Sequence, residues 1–260
     1  MTANDDALDS GGSPRLLNPR RSAHATIRGY LYQTCLGVLR WLDLGPNEIL
    51  LCEGDEDLDR FLLGGGSISE QVKAYTGGLS LSDRAVLESL GNFLRAYVAL
   101  RRRGETRSFV FTTTAHEKKQ RNTGLSFDLL EAWKQGTRTP EIFADVRSLL
   151  EPKEDDKNRE ETTEASSWLD AQPDGWKGFM DAVEWSFDAP DLDHVHRRIE
   201  KVLAARDDTN SLPAQTFLER LVAHVLRASS QPKPKDRTLT PKSLSDLIEA
   251  ARTDLGNWAN

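Results

Sequence analysis

The chain has 260 residues, of which 38% are hydrophobic and 29% charged, and its formal net charge is −7. That length holds one large domain or a domain with an elaboration, and the lack of any apolar run near about 20 residues excludes a helical membrane span. The two cysteines, Cys35 and Cys52, lie in apolar contexts without zinc-ligand spacing and fit buried thiols in a reducing cytoplasm.

Residues 1–22, with Asp5, Asp6, Asp9, Gly11 and Gly12, read as a polar disordered segment and not as a signal peptide. From Ala25 to Leu42, Ile27, Leu31, Cys35, Val38 and Leu42 recur near the helical period. Glu48 to Glu53 is an apolar run with acidic ends, short enough for a strand buried on both faces. Asp57 to Leu63 makes a second strand, Gly64-Gly65-Gly66 permits a tight reversal, and Ser67 to Tyr75 returns. Alternation then puts Ile68, Glu70, Val72 and Ala74 on one face and Gln71, Lys73 and Tyr75 on the other. Asp57 and Asp59 share a face, so an in-register hairpin brings one of them to the Gln71/Lys73 pair. Ser82-Asp83 caps a helix running to Arg103, and Arg107 to Thr114 is a further strand.

Beyond residue 125 the pattern is helical. Phe127 to Gln135, Thr139-Pro140 to Leu150, Leu192 to Ala205, Pro213 to Ser229, and Thr240-Pro241 to Leu255 each read as helices. Glu151 to Glu164 is charged and reads as a loop or solvated insertion, and Ser230 to Thr240 as a linker. The aromatic-rich stretch from Trp168 to Phe187 reads as the packing residues of a helical subdomain. His194-x-His196 lacks partners at metal-ligand spacing and reads as a structural or exposed pair. The expected architecture is α/β: a small mixed sheet flanked by helices over 23–124, then a helical extension over 125–260 for packing and partner contacts.

The chemistry concentrates in Glu53-Gly54-Asp55-Glu56-Asp57-Leu58-Asp59 and Gln71-Val72-Lys73. A hard divalent cation takes carboxylate and carbonyl oxygens converging from one side. A lysine beside it stabilises charge that develops on a phosphate. An acidic turn next to a hairpin is, on the bland reading, solvated surface. Charge is also uneven: residues 1–121 hold 16 Lys/Arg and 15 Asp/Glu (+1), and residues 122–260 hold 18 and 26 (−8), together the chain's −7. Basic residues bunch at Arg15, Arg20, Arg21 and Arg28, at Arg101, Arg102, Arg103 and Arg107, and at Lys118, Lys119 and Arg121. Such bunches neutralise phosphates without reading sequence, although Arg101 to Arg103 equally complement the negative end of a helix closing at Gly104.

In order, Arg28-Gly29-Tyr30-Leu31-Tyr32-Gln33, Glu53-x-x-x-Asp57, Gln71-x-Lys73 and Phe109-Val110-Phe111-Thr112-Thr113-Thr114 resemble the double-strand-DNA nuclease effector domain of bacterial antiphage systems. That domain occurs in CBASS effectors, in Avs (STAND-type) defence ATPases and in a HerA-associated system, and belongs to the PD-(D/E)xK, restriction-endonuclease-like superfamily. The resemblance covers residues 24–116. It implies a restriction-endonuclease-like core, with Asp57 as the metal-binding acid, Gln71 at the place of the pattern's second acid and Lys73 as its lysine. An amide oxygen can ligate Mg²⁺, though it brings no charge; Glu53 can supply the missing charge. Gln33 resembles the helix residue that faces the site.

The resemblance thus implies a cytoplasmic endonuclease dependent on Mg²⁺ or Mn²⁺ that cuts double-stranded DNA. Glu53, Asp57 and Gln71 would be its metal ligands and Asp57, Gln71 and Lys73 its catalytic set. Arg28, Arg101, Arg102, Arg103, Lys118 and Lys119 would contact DNA. It also implies homo-oligomerisation on activation and control by a STAND/NACHT-type or HerA-type ATPase. No Gly-x-x-x-x-Gly-Lys-[Ser/Thr] loop occurs here, so that ATPase lies in a partner chain or elsewhere in a longer one. The competing expectations are a non-catalytic protein–protein interaction module on the same fold, and RNA cleavage by the same metal chemistry.

Overall fold

A helix, α1 (His24–Leu42), opens the chain, its second half buried through Cys35, Leu36, Val38, Leu39, Trp41 and Leu42. Pro46 follows within four residues of its end and cannot continue it. The computed structural model describes residues 23–119, 128–154, 156–209 and 211–258, with the side chains of 255–258 left aside. The expected disordered segment 1–22, with Arg15, Arg20 and Arg21, lies outside the described residues, as does Arg121.

Three antiparallel strands come next: β1 (Glu48–Cys52), β2 (Leu58–Leu62) and β3 (Ser67–Lys73). Gly65 and Gly66 make the β2–β3 reversal at φ of 106° and 90°, a region that side chains avoid. The register is Cys52↔Leu58 and Leu58↔Glu70. After the short β4 (Gly78–Leu79), α2 (Arg84–Arg102) returns the chain to β5 (Ser108–Thr113), which runs parallel to β3 with Gln71 opposite Phe111 and Lys73 opposite Thr113. A crossover helix is what a parallel neighbour requires. The two-residue β6 (His116–Glu117) pairs with β4.

The second half supplies α3 (Leu129–Lys134), α4 (Pro140–Leu149), α5 (Arg159–Asp170), α6 (Gly175–Ala182), α7 (Leu192–Ala205), α8 (Ala214–Ser229) and α9 (Pro241–Trp258). It also adds two strands, β7 (Val183–Ser186) and β8 (Thr238–Leu239), giving a mixed six-stranded sheet in the order β7-β5-β3-β2-β1-β8. The architecture is therefore α/β, a mixed sheet with helices on both faces and a mainly helical second half.

The fold departs from the sequence pattern in three places. Residues 159–164, expected in a loop, form the first half of α5. Its buried stripe is Thr162, Ala165 and Leu169, small or polar at its start, while Glu160 and Glu161 in the first turn favour the positive end of the helix. The Trp168–Phe187 stretch is not wholly helical, because Val183–Ser186 pairs in parallel with β5. The expected linker 230–240 holds a 3₁₀ turn (Pro234–Arg237) and β8, whose Thr238 and Leu239 pair with Leu51 and Leu50.

Strand alternation divides the core. Leu50, Cys52, Leu58 and Val72 point to one face, where they pack with α1, α7, α8 and α9. Phe109, Phe111 and Val183 belong to the other side, packed with α2 to α6. Trp133, Trp176, Phe179, Trp185 and Phe187 join that cluster edge to face or stacked, with Trp133 Nε1 donating to the Met180 carbonyl at 2.9 Å. These aromatics are packing residues, not an open stacking platform. On the face that carries Phe109 and Phe111, β2 and β3 present Asp59, Ser67, Ser69, Gln71 and Lys73. That polar half-face positions the site.

The cap of α7 offers a local check. Asp191 accepts the His194 N–H at 2.9 Å. Asp191→Ala is expected to lower the midpoint of urea denaturation, and Asp191→Ser to restore most of it.

Candidate functional site

Leaving β1, the backbone turns sharply at Glu53, whose φ of 53° lies in the left-handed region that a residue with a side chain seldom adopts. The Glu53 N–H donates to the Asp57 carbonyl at 2.9 Å and closes the turn 53–57. This aims two carboxylates at the end of the β2–β3 ladder. Gln33, on the third turn of α1, donates Nε2 to Glu53 Oε1 at 2.6 Å. Asp57 Oδ2 accepts the Val72 N–H at 2.7 Å and also the Gln71 side-chain amide. Four elements, α1, β1, β2 and β3, thus meet around Glu53, Asp57, Gln71 and Gln33. Lys73 lies two residues beyond Gln71 on the same face of β3, and its charge favours the ionised forms of Glu53, Glu56 and Asp57.

The electrostatics are those of crowded, dehydrated acids. Burial raises the Glu53 carboxyl and the Asp57 charge raises it further, against the Gln33 bond and Lys73. Burial likewise raises Asp57, despite the Val72 N–H, Lys73 and Gln71. Glu56 is pushed up to about 8, first by burial and then by Asp57 and Asp59. A bound cation relieves this kind of crowding.

Whether these residues fit Mg²⁺ is decided by their donor set. Among the described residues no group of three or more His, Cys, Asp or Glu side chains is placed to hold a metal. What the turn offers is two carboxylates, Glu53 and Asp57, with the amide oxygen of Gln71. Asp57 accepts these bonds through Oδ2 and Glu53 through Oε1, which leaves Asp57 Oδ1 and Glu53 Oε2 outside them. Mg²⁺ is commonly held by one or two carboxylates while keeping several waters. The set fits that mode and does not form an all-protein cage.

The other acids are engaged differently. Asp55 pairs with Arg107 at 2.5 Å, and Asp59, fully buried, accepts from Ser69 and from the Asp55 N–H. Glu56 lines a groove against α2 with Asp55, Asn92, Arg95 and Arg103. Arg95 belongs to that groove through the spacing Arg95, Ala99, Arg103, which puts two arginines on one helix face around a small residue.

The basic residues lie on or just beyond three separate elements. Arg28 is exposed in the second turn of α1, and Lys118 and Lys119 are exposed beyond β6. Arg101 and Arg102 occupy the last turn of α2, where cations suit the helix end. Arg102 pairs with Glu164 at 2.7 Å and Arg103 with Glu105 at 3.3 Å, both exposed. Of the six, Arg103 is the one that shares a groove with the acidic turn. The two histidines diverge: His194 Nδ1 bonds Asp191 at 2.7 Å and His196 Nε2 meets Cys35 Sγ at 3.1 Å. Cys35 and Cys52 are buried free thiols, which burial pushes up to about 12 and about 11. No described helix is long and apolar enough to cross a membrane.

No protein-family model, curated protein or solved structure matches this chain. The fold and the site therefore define a class by geometry alone: a mixed α/β sheet carrying an acid–amide–lysine cluster where β1 passes to β2 beside the end of β3.

Proposed function

We propose that this chain is a metal-dependent endonuclease that cleaves double-stranded DNA, built on a restriction-endonuclease-like core. The observation that carries the reading is the direct contact of Asp57 with Gln71 and the Val72 N–H, with Glu53 and the Lys73 charge beside them. Glu53, Asp57 and the Gln71 amide oxygen would hold Mg²⁺ or Mn²⁺. When bound, such an ion would supply Lewis acidity toward water and the phosphate oxygens. Lys73 places its ammonium against the attacked phosphate and offsets the charge gathered there. Gln33 keeps Glu53 oriented, and Arg28, Arg101, Arg102, Arg103, Lys118 and Lys119 contact the DNA backbone.

Indiscriminate cleavage of DNA harms a host, so in this reading the activity is gated. The gate is homo-oligomerisation or a STAND/NACHT-type or HerA-type ATPase, in cis or in trans, within a cytoplasmic antiphage system. The test is plasmid digestion with Mg²⁺, with EDTA, and with a partner ATPase of that kind present or absent. Mg²⁺-dependent nicking or linearisation supports the reading, whereas cleavage indifferent to EDTA, or none in any combination, defeats it. RNA offered in parallel decides the substrate.

A second reading keeps the fold as a non-catalytic docking module. Its support is that, among the described residues, no three His, Cys, Asp or Glu side chains are grouped to hold a metal. Stable complex formation with a partner that survives Lys73→Ala, with no cleavage by any form, would establish it.

A further inference from the structure

Beneath the acidic turn lies a second polar network, separate from the Glu53–Gln33 and Asp57–Gln71 contacts. Asp59, in β2, is fully buried. Its Oδ2 accepts the Asp55 N–H at 2.7 Å, and its Oδ1 accepts from the Ser69 hydroxyl. Arg107, at the entry to β5 and with a side chain only 6% exposed, closes the network. It donates from Nε to Ser67 Oγ at 3.0 Å and from Nη1 to Ser69 Oγ at 3.1 Å, and pairs with Asp55 at 2.5 Å. Its Nη1 stands 3.9 Å from Asp59, and its guanidinium lies over the Phe61 ring at 5.4 Å.

The fit between this network and the turn is tight at Gly54. A Cβ added there would stand 2.0 Å from Asp59 Oδ2 and 2.9 Å from Leu51 Cδ2. The Asp59 carboxylate therefore occupies the space that any larger residue would need. It holds the 54–55 peptide one residue from the left-handed Glu53 and two from Asp57. A backbone held in a costly conformation persists only where its surroundings over-determine it.

We infer that Asp59, compensated by Arg107, is a positioning residue that clamps the 53–57 turn so that Glu53 and Asp57 converge on one cation. The inference rests on the cation reading above. Asp59 touches neither the cation nor the substrate; it fixes the backbone that presents the two acids. Groups one step removed from a metal commonly change its affinity about 10- to 100-fold when altered.

The experiment is calorimetric titration of Mn²⁺ into the wild-type chain, Asp59→Asn and Gly54→Ala, with near-ultraviolet circular dichroism as the folding check. Amide hydrogen exchange at Asp55 is followed in parallel. Both variants are expected to bind Mn²⁺ at least about tenfold more weakly than wild type while folded, with faster exchange at Asp55. Gly54→Ala leaves both charges in place and displaces only the turn, so it decides the matter if Asp59→Asn fails to fold. Wild-type binding matched by both folded variants overturns the clamp and leaves the cation reading standing. A wild-type chain that takes up no Mn²⁺ overturns the cation reading, and the clamp's role with it.

Discussion

Lys73→Ala is expected to lower DNA cleavage by about 100- to 1,000-fold while the chain stays folded. Lys73 places a positive charge beside Glu53, Glu56 and Asp57, and a phosphate approaching those acids meets their combined negative field. Removing the ammonium leaves the transition state without its compensation. Lys73→Arg should recover little, because a planar fork differs in size and donor placement from a compact ammonium. The companion variant is Asp57→Asn, not Asp57→Ala. Alanine would also strip the Val72 N–H of its acceptor, at about 1–3 kcal/mol. Asparagine keeps an acceptor and removes only the charge. Its loss of cleavage should match that of Lys73→Ala and should not be rescued by excess Mg²⁺. Single-turnover digestion on protein checked by circular dichroism measures both.

Glu56→Gln is expected to stabilise the metal-free protein by an amount that grows with pH. The carboxyl has an ordinary value of 4.5 and is raised to about 8 in the folded chain, chiefly by burial and then by Asp57 and Asp59. Below 4.5 the acid is protonated in folded and unfolded forms alike and contributes no difference. As pH rises from 4.5 to about 8 the unfolded chain releases the proton and the folded chain keeps it, so stability falls across that window. Above about 8 the folded chain bears the full cost of a buried, crowded charge, on the order of a few kcal/mol. Glutamine never acquires that charge. Melting midpoints at pH 4 should therefore coincide, while at pH 9 the variant melts higher. Adding Mg²⁺ should shrink the gap at pH 9, because a cation on Asp57 offsets the charge that helps raise Glu56.

How much of this was legible in the sequence depends on how local the cause was. The first helix and the three-strand meander follow from apolar period, from Pro46 and from the glycine run 64–66. Because that reversal fixes the register, alternation alone puts Asp57 on the face of Gln71. The orientation of Glu53 was not legible, because it depends on a left-handed backbone that its residue type does not announce. Nor was the Asp59–Arg107 network, whose members lie 48 positions apart and meet only once β5 aligns beside β3. The helix over 159–170 hid its inner stripe in Thr162 and Ala165. The strands at 183–186 and 238–239 were masked, one by dense aromatics and the other by its length of two residues. Each is a strand because β5 or β1 offers it an open edge, which is a property of the fold and not of the segment.

The central claim is that Glu53, Asp57 and Gln71 share one cation next to Lys73. Anomalous diffraction from crystals of the protein grown with Mn²⁺ addresses it most directly. The account predicts one strong peak between the Glu53 and Asp57 carboxylates, within ligand reach of the Gln71 amide oxygen and absent in Asp57→Asn. Saturating Mn²⁺ with no peak there, or an ordered peak at other residues, would contradict it.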